Sequence, residues 1–371
     1  MRIGIPTEVK NNEFRVAITP AGVAELTRRG HDVVIQAGAG DGSSISDTDF
    51  KAAGAEIISG ADHVWDQSEL VLKVKEPIAS EYARMRTGQT LFTYLHLAAS
   101  ADCTQALLDA GTTSIAYETV QTADGALPLL APMSEVAGRL AAQVGAYHLM
   151  KPAGGRGVLM GGVPGVEPAN VVVIGGGTAG YNAARVAAGM GAHVTVFDVS
   201  LPKLRELDAE FAGRIHTRYS SALALEEAVK RADMVIGAVL VPGAKAPKLV
   251  TNSLVAHMNP GSVLVDIAID QGGCFEDSRP TTHDEPTFRV HDAVFYCVAN
   301  MPGSVPRTST FALTNATLPY VLRLADSGWR SACRADAALA KGLSTHRGAL
   351  LNEQVARDLG MPFTDPATLL A

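Results

Sequence analysis

The residues best suited to chemistry fall in two sets, and the denser set lies at 170–198. Asn170-Val-Val-Val-Ile174 is an apolar, β-branched run of the kind buried on both faces of a parallel sheet. Gly175, Gly177 and Gly180 follow in the spacing G-x-G-x-x-G, and a helix is predicted from Ala179 to Gly189. The first glycine permits a tight turn out of the strand. The second lets backbone approach a pyrophosphate, and the third lets helix and strand pack closely. The helix N-terminus offers N–H groups and a positive dipole end to phosphates. A second predicted strand, His193-Val-Thr-Val-Phe-Asp198, ends in an acid 18 residues beyond Gly180. That carboxylate is placed to accept hydrogen bonds from adenosine ribose hydroxyls and to repel a 2′-phosphate, so NAD is expected over NADP. Lys203 and Arg205 stand just beyond and read either as phosphate ligands or as charges on a solvated helix face. A glycine-rich loop in some other α/β unit is the plain alternative in a chain with 36 glycines.

The second set is spread more widely. Arg15 sits in a polar loop before a predicted helix that opens on Thr19-Pro20, a suitable N-cap and first-turn pair. Lys75 follows a predicted strand at 70–74, and Tyr94 and His96 lie at the end of another at 90–97. Asp270 ends an apolar strand, 263–270, before Gly272 and Gly273. Ligands in open α/β sheets bind beyond the carboxyl ends of strands, where these residues fall. Each also has a plain reading: Arg15 and Lys75 as solvated charges, His96 as a structural histidine, Tyr94 as packing. Glu118, after a strand at 112–117, is a weaker acid/base candidate, and Asp266 reads as a local cap. His31, His63 and the other histidines read as structural.

The elements that position these residues alternate at short intervals. Strands are expected at 1–6, 31–37, 56–58, 70–74, 90–97 and 112–117, with helices at 21–29 and 47–53. This is the pattern of a parallel sheet flanked by helices. It precedes the glycine fingerprint and forms a separate domain. A long helix at 132–150, rich in small residues and with Ser134 near its start, is suited to bridging two domains, and a glycine-dense loop at 151–164 follows it. Later strands are expected at 234–239, 262–268 and 294–298, a second long helix at 310–324, and a tail at 349–359. The fold expected is two Rossmann-like α/β domains with a cleft between them: 1–128 plus 307–371 as a discontinuous substrate domain, and 129–306 as the NAD-binding domain.

The chain has 371 residues, 47% hydrophobic and 19% charged, with a net charge of −7. That balance suits soluble domains and gives no reason to expect nucleic acid or a membrane surface as partner. No apolar run is long enough to span a bilayer, and the N-terminus reads as a strand, not a signal peptide. Cys103, Cys274, Cys297 and Cys333 form no C-x-x-C pair, so neither a metal site nor a disulfide framework is expected, and the cytoplasm is the expected compartment.

Six motifs together resemble the NAD-dependent L-alanine dehydrogenases, with the α-type domain of nicotinamide nucleotide transhydrogenase as a close relative. They are Gly4-Ile-Pro-Thr-Glu-Val-Lys-Asn-Asn-Glu-Phe-Arg-Val-Ala-Ile-Thr-Pro20, Lys73-Val-Lys-Glu-Pro77, Phe92-Thr-Tyr-Leu-His-Leu97, Met133-Ser-Glu-Val-Ala-Gly138, Gly161-Gly-Val-Pro-Gly165 and Val265-Asp-Ile-Ala-Ile-Asp-Gln-Gly-Gly273. The resemblance covers nearly the whole chain. Arg-Val-Ala-Ile-Thr-Pro is shared with the transhydrogenases, whereas His96 together with Asp270-Gln-Gly-Gly is more specific to the dehydrogenases.

The resemblance implies reversible oxidative deamination of L-alanine to pyruvate and ammonia in amino-acid catabolism, by a homohexamer. It implies Arg15 and Lys75 as substrate-binding residues and His96 and Asp270 as catalytic ones. The chemistry agrees: a guanidinium pairs with a carboxylate, a lysine acts as a point charge near a carbonyl, and an imidazole titrates near neutrality. Asp270 would orient the ammonium and the attacking water. For NAD the resemblance adds Ser134, Thr178, Ala179, Lys203, Ser220, Val239, Leu240, Ile267, Arg279, Asn300 and Met301 to the glycines and Asp198. The main alternative is a transhydrogenase-like module that passes hydride to a partner subunit. A reductase for another 2-oxo acid and a non-catalytic NAD-binding scaffold also stay open.

Overall fold

Short β-branched runs become the strands of two separate sheets. The computed structural model describes residues 1–239 and 246–371. They divide into two units, Met1–Met133 with Gly303–Ala371, and Ser134–Pro302. In chain order the first unit contributes β1 (Arg2–Ile5), β2 (Asp32–Gln36), β3 (Glu56–Ile58), β4 (Leu70–Leu72), β5 (Thr90–Thr93) and β6 (Thr113–Ala116). The second contributes β7 (Asn170–Ile174), β8 (His193–Asp198), β9 (His216–Tyr219), β10 (Met234–Gly237), β11 (Val263–Asp266), β12 (Thr287–Val290) and β13 (Ala293–Tyr296). The chain then returns to the first unit with β14 (Leu343–His346) and β15 (Ala349–Leu350).

The first sheet has the order β15-β14-β6-β5-β4-β1-β2-β3 and the second β12-β13-β11-β10-β7-β8-β9. From β3 to β6, and from β9 to β13, every pairing is parallel. Both sheets thus follow the doubly wound order, with the chain reversing direction beside its first strand, where such folds bind ligands. Antiparallel strands close one edge of each, β14 on β6 and β12 on β13, and the sequence pattern did not foretell either pairing. The unbroken apolar character of β7 follows from burial on both faces: Val171 and Val173 pack into one core cluster, Val172 and Ile174 into another.

The structure corrects the strand ends that matter most. The strand expected to reach Val74 stops at Leu72, the one expected to reach Leu97 stops at Thr93, and the one expected to reach Asp270 stops at Asp266. In each case a carboxylate takes the N–H groups that a longer ladder would have used: Glu8 those of Val74 and Lys75, Glu118 those of Leu95 and His96, and Asp266 that of Ala268. Apolar composition does not distinguish such a braced turn from a strand. Helix Ala131–Leu149 spans the division between the units. The last long helix is longer than the sequence suggested, Pro306–Ala335, and it breaks at Gly328, whose φ of 73° and ψ of 159° are not helical.

Candidate active site

The glycine fingerprint separates into positions required by the protein and one required by nothing within it. Gly175 has φ of 100°, and a Cβ there would lie 2.7 Å from the Ala238 carbonyl oxygen. At Gly180 a Cβ would lie 1.8 Å from the Gly175 carbonyl oxygen, so helix Thr178–Gly189 can approach β7 only through glycine. At Gly177 a Cβ would meet no atom within 4 Å. Gly177 and Thr178 are exposed, and Gly177 caps the helix with no side-chain hydrogen bond. The helix therefore presents bare backbone at an open N-terminus, which fits a pyrophosphate.

Around this loop the structure gathers several of the residues singled out above. Both Asp198 oxygens accept backbone N–H groups, Oδ2 from Gly176 at 2.7 Å and Oδ1 from Ser200 at 2.7 Å. This fixes the carboxylate beside the loop, and its remaining lone pairs suit ribose hydroxyls. The Ser220 N–H donates to the Asp198 carbonyl at 3.0 Å, which seats Ser220 at the neighbouring strand end. Lys203 lies over Gly176 but pairs its ammonium with Glu206 at 2.5 Å on an exposed face. Val239, half-buried, leaves β10 next to Gly175. Leu240 lies outside the described residues.

Helix Ala131–Leu149 carries half-buried Ser134 and docks on the fingerprint helix. A Cβ at Gly138 would lie 2.1 Å from the Ala179 carbonyl, and Arg139 Nε donates to Asn182 Oδ1 at 2.9 Å. Ile267 and buried Met301 belong to one core cluster under the sheet. Asn300 holds a left-handed φ of 61°. Arg279 is exposed, its guanidinium 4.1 Å from the centre of the Phe288 ring. Asp270 is also exposed, in a short 3-10 helix, Ile267–Gln271, that follows β11. Asp266 is the local cap its sequence position suggested. It accepts from Ala268, Cys274 and Ser278, and burial raises its carboxyl above the usual range.

In the other unit, Arg15, Lys75 and His96 occupy the carboxyl edge of the first sheet, and none is a solvated surface charge. Arg15 is 2% exposed. Its Nε and Nη2 donate to Glu13 at 2.7 and 2.5 Å, its own N–H donates to the same carboxylate at 3.0 Å, and Nη1 meets Met133 Sδ at 3.0 Å. Lys75 is 6% exposed. Glu8 accepts the N–H of Val74 at 2.6 Å and of Lys75 at 3.4 Å, along with the Lys73 ammonium at 3.0 Å. Lys73 is fully buried and also pairs with Glu81 at 2.8 Å. Burial opposes its charge, but Glu8 and Glu81 outweigh this and hold it above the usual lysine value. Burial likewise pushes Glu8 up, against the pull of Lys73.

His96 takes a left-handed conformation, φ 48° and ψ 40°, and its N–H donates to Glu118 Oε1 at 2.6 Å. Its ring stacks on Tyr94 with centroids 5.9 Å apart. Tyr94 is buried and donates to the Leu129 carbonyl at 2.5 Å, and burial raises its hydroxyl far above the usual value. Glu76 ties the cluster together. Burial would raise its carboxyl, but Lys75, Lys10 and, more weakly, His96 hold it below the usual range. Glu8, Glu13, Lys73 and Glu81 do not stand out in the sequence as site residues. The available signal was a lysine set directly after the apolar run Leu70-Val-Leu72, which inside a sheet demands a buried carboxylate.

Among the described residues there is no cluster of His, Cys, Asp and Glu suited to a metal ion, and no helix long and apolar enough to cross a membrane. The four cysteines are buried and unpaired by disulfide.

Comparison with known proteins adds to this geometry. Residues 4–137 match the family model "Alanine dehydrogenase/PNT, N-terminal domain" and residues 141–353 its C-terminal counterpart. The chain is 80% identical over 371 residues to the alanine dehydrogenases of Mycolicibacterium smegmatis and of Mycobacterium tuberculosis strain H37Rv, covering 100% of each chain. Among solved structures it resembles an L-alanine dehydrogenase with a TM-score of 0.94 at 49% identity, covering 97% of this chain and 99% of that one. It also resembles the transhydrogenase from Sinorhizobium meliloti, with a TM-score of 0.79 at 26% identity, covering 95% and 99%. With both domain models matched in order and relatives aligned from end to end, the chain belongs to the alanine dehydrogenase/PNT family.

Proposed function

We propose that this chain is an NAD-dependent dehydrogenase that converts L-alanine, NAD and water reversibly to pyruvate, ammonium and NADH. The observation that carries the proposal is the 80% identity over the full chain to alanine dehydrogenases. The open backbone at Gly177 and the buried cations Arg15 and Lys75 support it from the side of the chemistry.

NAD, when bound, supplies the acceptor for hydride from the substrate α-carbon. Its binding residues are proposed to be Gly175, Gly177, Thr178, Ala179 and Gly180 at the pyrophosphate, and Asp198, Lys203 and Ser220 at the adenosine. Ser134, Val239, Leu240, Ile267, Arg279, Asn300 and Met301 complete the set. Arg15 and Lys75 hold the substrate carboxylate and polarise the carbonyl oxygen. Loss of hydride leaves an imine, to which water adds, and collapse of the carbinolamine releases ammonia. His96 moves the protons in these steps, and Asp270 orients the amino group and the attacking water. The assay is NAD reduction on adding L-alanine beside glycine, serine and lysine. Turnover with L-alanine is expected, and its absence would overturn the proposal.

A second reading, a module that passes hydride to a partner subunit, is favoured only by the likeness to the Sinorhizobium meliloti transhydrogenase. It expects no turnover of L-alanine by the isolated chain. A closed homo-oligomer, a hexamer, is proposed as the assembly. Support comes from the apolar surface at Tyr147, Leu159, Val163 and Val166, each more than half exposed. Sedimentation at micromolar concentration tests it, and a monomeric mass would reject it.

A further inference from the structure

We propose that Glu118 is a positioning residue for His96, holding the backbone of that histidine in its left-handed turn and taking no part in proton transfer. The inference rests on the proposed role of His96.

β5 and β6 run parallel, and their last pair in register is Thr93 and Ala116. Beyond it the chain after β5 turns away, so its N–H groups lose the partner that a longer β6 would have supplied. Glu118 sits two residues past the end of β6 and replaces that partner. Its Oε1 accepts from Leu95 at 3.2 Å and from His96 at 2.6 Å, and its Oε2 also lies 3.2 Å from the Leu95 nitrogen. A carboxylate that bridges successive N–H groups favours the turn that points them the same way. Here it offsets the cost of a left-handed φ on a residue with a Cβ.

The same device stands one strand over. β1 and β4 are neighbours, Glu8 follows β1, and its carboxylate takes the N–H groups of Val74 and Lys75 past the end of β4. Lys75 and His96 are thus each held past a strand end by a glutamate that follows the adjacent strand. The engagement of both Glu118 oxygens with backbone donors argues against its being a base.

The test compares Glu118→Gln with Glu118→Leu, alone and on a His96→Ala background. The glutamine oxygen can keep the bonds now made by Oε1, whereas leucine of similar size keeps none. Glu118→Leu is expected to lower kcat with L-alanine about 10²-fold, the scale of a misplaced catalytic group, while NADH fluorescence titration is unchanged. Glu118→Gln is expected to retain most of kcat and the pH profile of the parent. On the His96→Ala background, Glu118→Leu is expected to cost nothing further. Equal losses in the Gln and Leu variants, or an undiminished cost of Leu without His96, would overturn the proposal. Hydrogen exchange over residues 94–99 reads the positioning without any need for turnover. Faster exchange in the Leu variant alone is expected, and unchanged exchange there would overturn it. This exchange pattern among the variants of a parent protein that never oxidises L-alanine would count against the proposed function only.

Discussion

The parallel parts of the two sheets share one strand order, yet their carboxyl edges are built from opposite materials. The edge of the Ser134–Pro302 unit is made by removing side chains: Gly175, Gly177 and Gly180 leave bare backbone at a helix N-terminus. The edge of the other unit is made by burying charge: Arg15, Lys73 and Lys75 lie inside, with Glu13 against Arg15 and Glu8 and Glu81 against Lys73. A dinucleotide can be held by main-chain donors that cost little to form. A small carboxylate substrate needs full charges held in place, and each buried cation then requires its own counter-ion. One edge should therefore tolerate loss of binding without loss of fold, and the other should not.

Lys73→Met breaks the contrast most severely. It strands Glu8 and Glu81 as uncompensated buried carboxylates, and a loss of about 3–5 kcal/mol in urea unfolding is expected. A stability unchanged within error would mean that these charges are not buried as described. Gly177→Ala is the converse case. Its φ of −68° suits alanine and its Cβ meets nothing, so the melting temperature should hold while NADH affinity falls about 10–100-fold from the clash with a bound phosphate. Unimpaired NADH titration would remove Gly177 from the pyrophosphate site. Asp198→Ala should narrow the preference for NAD over NADP, measured as the ratio of kcat/KM, by about tenfold. An unchanged ratio would take the ribose role from that carboxylate.

The smallest effect concerns a buried ring that belongs to neither set of site residues. Burial lowers the His148 imidazole below its usual value of about 6.5, so the unfolded chain binds the proton first. The stability of the neutral ring is then present above that pH and lost as pH falls through it. The melting temperature should drop by a few degrees more between about pH 7 and pH 5 in the parent than in His148→Phe. Parallel pH profiles would contradict this.

Much of this was legible in the sequence, and the residues show why the rest was not. The β7 run, the glycine spacing and Asp198 obey local rules in which the spacing itself carries the geometry. Arg15, Lys75 and His96 were legible as candidates through the motifs around them. Their surroundings were not, because Glu8 lies 65 residues from Lys73 and Glu118 lies 22 from His96. No local periodicity encodes a pairing across strand ends. The same long-range carboxylates ended β4 and β5 early, so the strand errors and the missed residues share one cause. β14, lying beside β6 from 231 residues away, was hidden for the same reason.

We propose a division of labour: the glycine edge binds the dinucleotide, and the charged edge holds the substrate carboxylate and moves its protons. Its most direct test is His96→Gln, which keeps a hydrogen-bonding side chain but cannot move a proton. NADH titration by fluorescence should match the parent, while kcat with pyruvate and ammonia falls about 10²–10⁴-fold, the usual contribution of general acid–base catalysis. Near-normal turnover would remove His96 from the chemistry, and a parallel loss of NADH binding would contradict the division itself.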